Sequence, residues 1–393
     1  MSSGRPPARW IPWALLVAAL AVRVLTAWPL QQPGYTDAYY YAVGAEELGA
    51  GQGLSEPFIW NYLDPPASLP QPGFLYWMPL AAILGWLGLE TLGGTFGALQ
   101  APFVLLSALL PVMAYIVAWD LTGKLKHALL AGLLTIFPGF YAHVFVLPDN
   151  FAPFALAGSL CLWATGRGLR DQKPLWFGLA GVAAGFGHLA RADGLLLAGV
   201  ALATALMPRR WLLRGPSEGS TNRLTGPLLL ITGYLLVMAP WFVRNWQVHG
   251  TLLAGTGFST AFLTSYDDMF AYDRPLTLKS YLNWGWSAIL RSKGQALLLN
   301  LQRLWIENLM IVLLPFSVLG LVNQRRQRLL WPFLLYGLLL FLSMTFIFTF
   351  AGMRGGFFHS GSALLPFLFA AAGPGLDSVL RWMARRLPGW NAR

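Results

Sequence analysis

Long apolar runs separated by short polar stretches dominate this chain, and they predict an all-α protein made of membrane-crossing helices. The runs lie near 10–30, 97–121, 128–147, 151–166, 174–190, 195–208, 224–243, 304–322, 329–351 and 362–380. Several reach the roughly 20 residues that span a ~30 Å hydrocarbon core. The expectation is a polytopic transmembrane helical bundle of about ten spans, forming a single integral membrane domain over 1–393. Phe74 to Leu92 is apolar enough to be an eleventh span, and the parity of everything downstream depends on it.

Charge placement decides that parity. If 74–92 lies along the interface, sixteen downstream Lys and Arg residues fall on the side of the termini and eight on the other; a full crossing inverts the two numbers. Basic residues concentrate on the cytoplasmic side, so the segment reads as an interfacial helix and both termini as cytoplasmic. Two long outer segments result: 31–92, with interfacial helices, and 245–303, with short helices. The Gly, Pro, Ser and Thr residues of 209–223 predict a flexible cytoplasmic loop. Arg5 and Arg9 precede the first run as in a signal peptide, but no A-x-A-like site follows and Arg23 interrupts the run, so it is read as a span.

Composition agrees with a multi-pass protein of the cell membrane. Of 393 residues 56% are apolar and 11% charged, against roughly a quarter charged in soluble domains. The net charge of +11 sits in short clusters between apolar runs rather than on one stripe, which argues against nucleic acid as a partner. The single cysteine, Cys161, excludes a disulfide framework and reads as packing. There is no P-loop and no H-E-x-x-H, the five histidines are scattered, and no internal repeat of the transporter kind is visible.

Candidate chemistry gathers on the outer side. Tyr35-Thr36-Asp37-Ala38-Tyr39-Tyr40-Tyr41 places Asp37, Tyr40 and Tyr41 on one helical face, so a carboxylate stands beside aromatic rings. Asp37 is either a base or a first-turn cap. Leu147-Pro148-Asp149-Asn150 offers a second acid, Asp149, again open to a capping role. Trp60, Pro65-Pro66 and Tyr76-Trp77 form a Pro- and aromatic-rich approach to the interfacial helix, where Trp60 and Tyr76 are substrate contacts or belt anchors. Arg191, Arg244 and Arg354, the last followed by His359 and Ser360, are cations at outer span ends, against the topology rule. They are phosphate ligands, since the guanidinium fork matches phosphate oxygens, or an Arg191–Asp193 ion pair with two snorkelling side chains.

In these residues the chain resembles the GT-C superfamily of membrane glycosyltransferases, and in particular the bacterial branch similar to protein O-mannosyltransferases (glycosyltransferase family 39) and aminoarabinose transferases. The matching stretches are Asp37-Ala38-Tyr39-Tyr40, Pro148-Asp149-Asn150, Leu189-Ala190-Arg191-Ala192-Asp193-Gly194 and Pro240-Trp241-Phe242-Val243-Arg244-Asn245, in this order and on one side. The resemblance implies a polyprenyl-phosphate sugar donor, a hydroxyl acceptor on protein, lipid or glycan, and an inverting displacement with Asp37 as base and Asp149 as second acid. Tyr40, Tyr41, Trp60, Tyr76, Arg191, Arg244, Arg354 and His359 would contact substrate. Leu69-Pro70-Gln71-Pro72-Gly73 replaces a His-Pro-Pro motif of relatives, so no metal site is carried over and a divalent cation is only an option. The large soluble C-terminal domain of some relatives is not expected here, which leaves the acceptor open. A transporter or flippase of lipid-linked sugars is the main alternative, followed by a noncatalytic assembly protein.

Overall fold

A computed structural model describes residues 8–63, 68–207, 224–253 and 256–387. Pro65-Pro66 and the expected loop 209–223 lie outside the described residues. Among the described residues the regular structure is helical apart from one two-residue ladder, β1 (Ser55–Glu56) against β2 (Gln71–Pro72), within the first outer segment. The helices that frame the site are α1 (Ile11–Ala27), α2 (Thr36–Gly49), α3 (Leu80–Leu92), α4 (Phe96–Ala108), α5 (Leu110–Thr122), α6 (Leu125–Ile136), α7 (Phe151–Asp171), α8 (Leu175–Ala190), α9 (Leu195–Ala205), α10 (Thr225–His249), α11 (Trp286–Arg303), α12 (Leu314–Gln324), α13 (Trp331–Leu342) and α14 (Leu365–Arg386).

Proline and glycine punctuate them as backbone chemistry requires. Proline stands in the first turn of α1, α5, α12, α13 and α14, where its missing N–H is no loss. Gly123 and Gly250 end α5 and α10 in the left-handed conformation that glycine adopts without strain. Small residues also set how closely helices approach. Gly181 and Gly233 lie against backbone of the partner helix across the α8–α10 contact, where a Cβ would collide. Outside the bundle, Trp13, Leu25, Leu236 and Leu338 point outward, as lipid-facing positions do.

Among the described residues four helical stretches are long and apolar enough to cross a membrane: Phe96–Thr122, Thr225–His249, Arg328–Ile347 and Thr349–Arg386. A fifth is counted if the pair Leu125–Ile136 and Gly139–Val146, bent by 48°, is one span. Several expected spans are therefore shorter or broken. The run 128–147 loses its helix at Pro138-Gly139, where Gly139 has a positive φ, and continues as short 3-10 turns. The run 304–322 opens with a π turn at Leu304–Asn308 and left-handed Met310 and Ile311 before α12 starts at Leu314. Hydropathy registers apolar content, not the backbone breaks that interrupt it.

The breaks are occupied by side chains. Arg23, interrupting the first run, is fully buried and donates to Ile136 O at 2.9 Å and Thr135 O at 3.2 Å. It satisfies carbonyls freed where α6 stops and complements the negative end of that helix. Helix ends gather at two poles of the bundle. One pole holds Tyr35, Asp149, Arg191 and His359; the other holds Asp120, Arg167, Lys126 and Asp377.

Candidate active site

The site is built where α2, α7, the turn after α8 and the short helix Phe357–Gly361 meet. Asp37 is the second residue of α2, whose N-cap Tyr35 makes no side-chain cap bond. The carboxylate of Asp37 accepts from Thr36 Oγ1 at 3.2 Å, and its other oxygen, Oδ2, stands 3.9 Å from His359 Nε2. It sits in the first turn, where the helix dipole favours a negative charge, without accepting a backbone bond.

Asp149 precedes the N-cap residue of α7, Asn150, and is fully buried. Its oxygens accept the Tyr35 hydroxyl and the Asn150 N–H. Asn150 then links the site: its Nδ2 donates to Tyr41 Oη at 3.1 Å, and its Oδ1 accepts from His359 Nδ1 at 2.8 Å and from Arg191 Nη1 at 3.4 Å. With the Nδ1 proton spent on Asn150, the Nε2 lone pair of His359 faces the carboxylates. His359 is further fixed by stacking on Phe151, with ring centroids 3.8 Å apart. Ligand atoms of Asp37, Asp149 and His359 all lie within 4.8 Å of one another.

Burial governs the electrostatics. It raises the Asp37 pKa above the ordinary carboxylate value, while Thr36, Arg191 and Arg354 oppose the shift. Burial and the neighbouring Asp37 charge push Asp149 up to about 7. Tyr35, Tyr40 and Tyr41 are pushed well above their usual value by burial, so they remain hydroxyl donors.

The three expected arginines are placed differently. Arg191 donates through Nε to Asp193 Oδ1 and Ser360 Oγ, each at 2.9 Å, so the Asp193 pair exists; Ser360 also bonds Asp193. Arg244 donates through Nη2 to Leu54 O at 3.1 Å and Gly73 O at 3.0 Å, and through Nη1 to Asn245 Oδ1, with its guanidinium over Trp241. It fastens both strands of the outer segment to α10. Arg354 is exposed, lies over the Tyr266 ring at 5.5 Å, and has no hydrogen bond or ion pair from its side chain among the described residues.

Tyr40 and Tyr41 are buried in an aromatic cluster with Phe58, Trp60, Phe74 and Trp77. Trp60 and Tyr76 are half-buried beside it, lining a small cleft with Glu56 and Gln71. Glu56 was not singled out from sequence. It is buried and accepts the Tyr40 hydroxyl, Gln71 Nε2 at 3.0 Å and Phe74 N at 3.0 Å, holding the first outer segment together. Tyr35 was missed as well; its only mark in the sequence is its place two residues before Asp37. Asp37, Asp149, Arg191 and His359 thus come together, with Tyr41 behind them. Arg244 faces the strands, and Arg354 lies on the Tyr266 side.

Comparison with known proteins bears on the fold and the superfamily. A family model for dolichyl-phosphate-mannose-protein mannosyltransferases matches residues 71–244. No curated protein matches the chain. Archaeal oligosaccharyltransferase AglB from Archaeoglobus fulgidus, solved with an inhibitory peptide and a dolichol-phosphate, shares the fold at TM-score 0.58 and 14% identity, over 98% of this chain and 52% of that one. The Archaeoglobus fulgidus oligosaccharyltransferase in its apo form gives TM-score 0.40 at 14% identity, over 97% and 59% of the two chains. Its complex with Zn and sulfate gives 0.44 at 16% identity, over 95% and 55%. The chain spans about half the length of AglB. AglB shares the fold, and the family match, over less than half of the chain, points to the same superfamily; the helices are apolar, as those of a membrane protein are.

Proposed function

We propose that this chain is a GT-C superfamily glycosyltransferase that transfers a sugar from a polyprenyl-phosphate carrier to a hydroxyl acceptor with inversion, using Asp37 as general base. The observation that carries the reading is the convergence of Asp37, Asp149 and His359 at one pole of an apolar bundle, with one Asp37 oxygen committed only to Thr36. In this reading the acceptor hydroxyl gives its proton to Asp37 as its oxygen forms a bond to the anomeric carbon. The bond from that carbon to the phosphate oxygen breaks on the opposite face, and the lipid phosphate leaves with the electron pair. A positioned base contributes roughly 10²- to 10⁴-fold in rate.

Arg354 is a cation on the same side with no side-chain hydrogen bond or ion pair among the described residues, near enough to Asp37 to favour its ionised form, and is suited to the departing phosphate. Arg191 orders the site through Asn150, Asp193 and Ser360. Asp149, held by Tyr35, adds negative charge and orients the acceptor. The peptide and dolichol-phosphate bound to AglB are in keeping with a lipid-linked donor and leave a protein, lipid or glycan acceptor open.

Two carboxylates and an imidazole whose Nδ1 is held by a neighbour form a donor set that fits a divalent cation. Asp37, Asp149 and His359 would hold it, and it would supply positive charge to the phosphate oxygen as negative charge develops there. Ten crossings with both termini cytoplasmic complete the reading: the carboxylate pole then faces outward and 74–92 lies in the interface. Purified protein in detergent should transfer sugar from a lipid-linked donor to a hydroxyl acceptor without vesicles. Movement of the donor across vesicles, with no transfer in detergent, would replace this reading by a flippase.

A further inference from the structure

A cavity of about 570 Å³ opens at the pole remote from Asp37, where the turn between α5 and α6 meets the ends of α12 and α14. Pro374, Asp377, Ser378, Arg381, Trp382 and Arg385 line it, spaced i, i+3, i+4, i+7, i+8 and i+11 on one face of α14. At 1.5 Å per residue this stripe lies more than ~20 Å along the chain axis from His359. It is separate from the transfer site.

Packing explains the opening. α12 and α14 touch through glycine, with Gly320 against Ala371 and Gly375 against Phe316 backbone, and Ser317 Oγ donates to Leu368 O at 2.8 Å. Past that contact both helices carry long polar side chains. Asn323 Nδ2 still reaches Ser378 Oγ at 2.9 Å, but the space between Leu319, Lys124 and Trp382 is left open.

Charge in the cavity is unbalanced. Among the described residues Asp377 is its only lining carboxylate, and it is already paired, with Lys126 Nζ at 2.7 Å, His127 Nε2 at 2.9 Å and Lys124 Nζ at 3.5 Å. Arg381 donates to Ser378 Oγ at 3.1 Å, and neither it nor Arg385 pairs with a carboxylate among the described residues. His127, 4% exposed, lines the same wall and donates through Nε2 to Asp377, which leaves its Nδ1 as an acceptor. Converging cations beside an apolar wall are the chemistry of an anion site, and two guanidinium forks match phosphate oxygens.

We propose that this cavity binds the phosphate of an anionic lipid headgroup in the leaflet opposite the transfer site. Arg381 and Arg385 hold the phosphate oxygens and Lys124 adds charge. Trp382, 60% exposed, and Leu319 lie against the lipid's glycerol and upper chain. Basic pockets between helices at a membrane surface bind anionic headgroups on this principle.

The test uses the full chain, purified and delipidated in neutral detergent, with the melting temperature followed against added short-chain phosphatidylglycerol, phosphatidylcholine or inorganic phosphate at constant ionic strength. Phosphatidylglycerol should raise it saturably and phosphatidylcholine should not. The double variant Arg381→Gln/Arg385→Gln should raise the half-saturating concentration at least ~10-fold. Asn323→Trp, which fills the cavity and keeps every charge, should do the same; an unchanged response in this folded variant would reduce the effect to surface attraction and overturn the site. Inorganic phosphate giving the whole shift at equal concentration would make free phosphate the ligand and overturn the lipid. No saturable shift with any of the three on the wild-type chain would reject the proposal.

Discussion

His359 Nε2 lies 3.9 Å from Asp37 Oδ2, joining the short helix before α14 to the first turn of α2. The contact exists because Asn150 takes the other imidazole nitrogen. It turns two isolated acids into a group with a shared charge problem, and the predictions follow from that group.

Asp37→Asn should lower transfer by roughly 10²- to 10⁴-fold while leaving the melting temperature close to wild type. Since Asp37 makes no cap bond, Asp37→Ala should be nearly as stable as Asp37→Asn. Asp149→Asn should give a smaller loss, partly in acceptor KM. Steady-state kinetics and thermal melts on the three proteins check this; near-wild-type transfer by Asp37→Asn would move the base to Asp149.

The pH dependence has a stated sign. Asp37 and Asp149 both have raised pKa values, so the protonated forms persist to higher pH than usual and the ionised forms needed for catalysis or cation binding appear late. Transfer should rise with pH through about 7, the value to which Asp149 is pushed. Stability runs the other way: the contribution of the buried protonated acid is complete below the ordinary carboxyl value of 3.8 and is lost as pH rises through about 7. A divalent cation competes with these protons, so it should raise the melting temperature at pH 8 and barely at pH 5. Chelator-treated protein melted with and without Mn²⁺ at the two pH values measures this, and an equal shift at both would reject the cation group.

Arg354 and Arg244 should separate by readout. Arg354→Lys keeps the charge and loses the fork, and should reduce kcat/KM for the donor by about 10-fold or more with folding intact. Arg244→Ala abandons the carbonyls of Leu54 and Gly73, and should cost about 2–3 kcal/mol of stability. A stable, inactive Arg244→Ala protein would return Arg244 to the donor site.

Sidedness is open to direct measurement. A reporter fused after Lys126 should read cytoplasmic and one after Asp268 external. The reverse result would make Phe74 to Leu92 a crossing and place the carboxylate pole inside.

Sequence alone determined the solvent and the class of fold. Apolar content is a sum over residues, and lipid selects for it locally, so an apolar helical protein with acids and arginines at run ends was legible in composition and spacing. The pair Arg191–Asp193 was legible too, as one of two readings of Arg191, because a break between helices leaves residues two apart within reach of each other. What tertiary structure decided is which of these groups share a space. The commitment of Arg244 to two backbone carbonyls depends on where strands β1 and β2 come to rest, and the freedom of Arg354 depends on what fails to reach it. Glu56 looks like any loop acid until burial against Tyr40 makes it structural. His359 could not be matched to Asp37 and Asp149, because no periodicity relates helix ends that meet only after the whole bundle has packed.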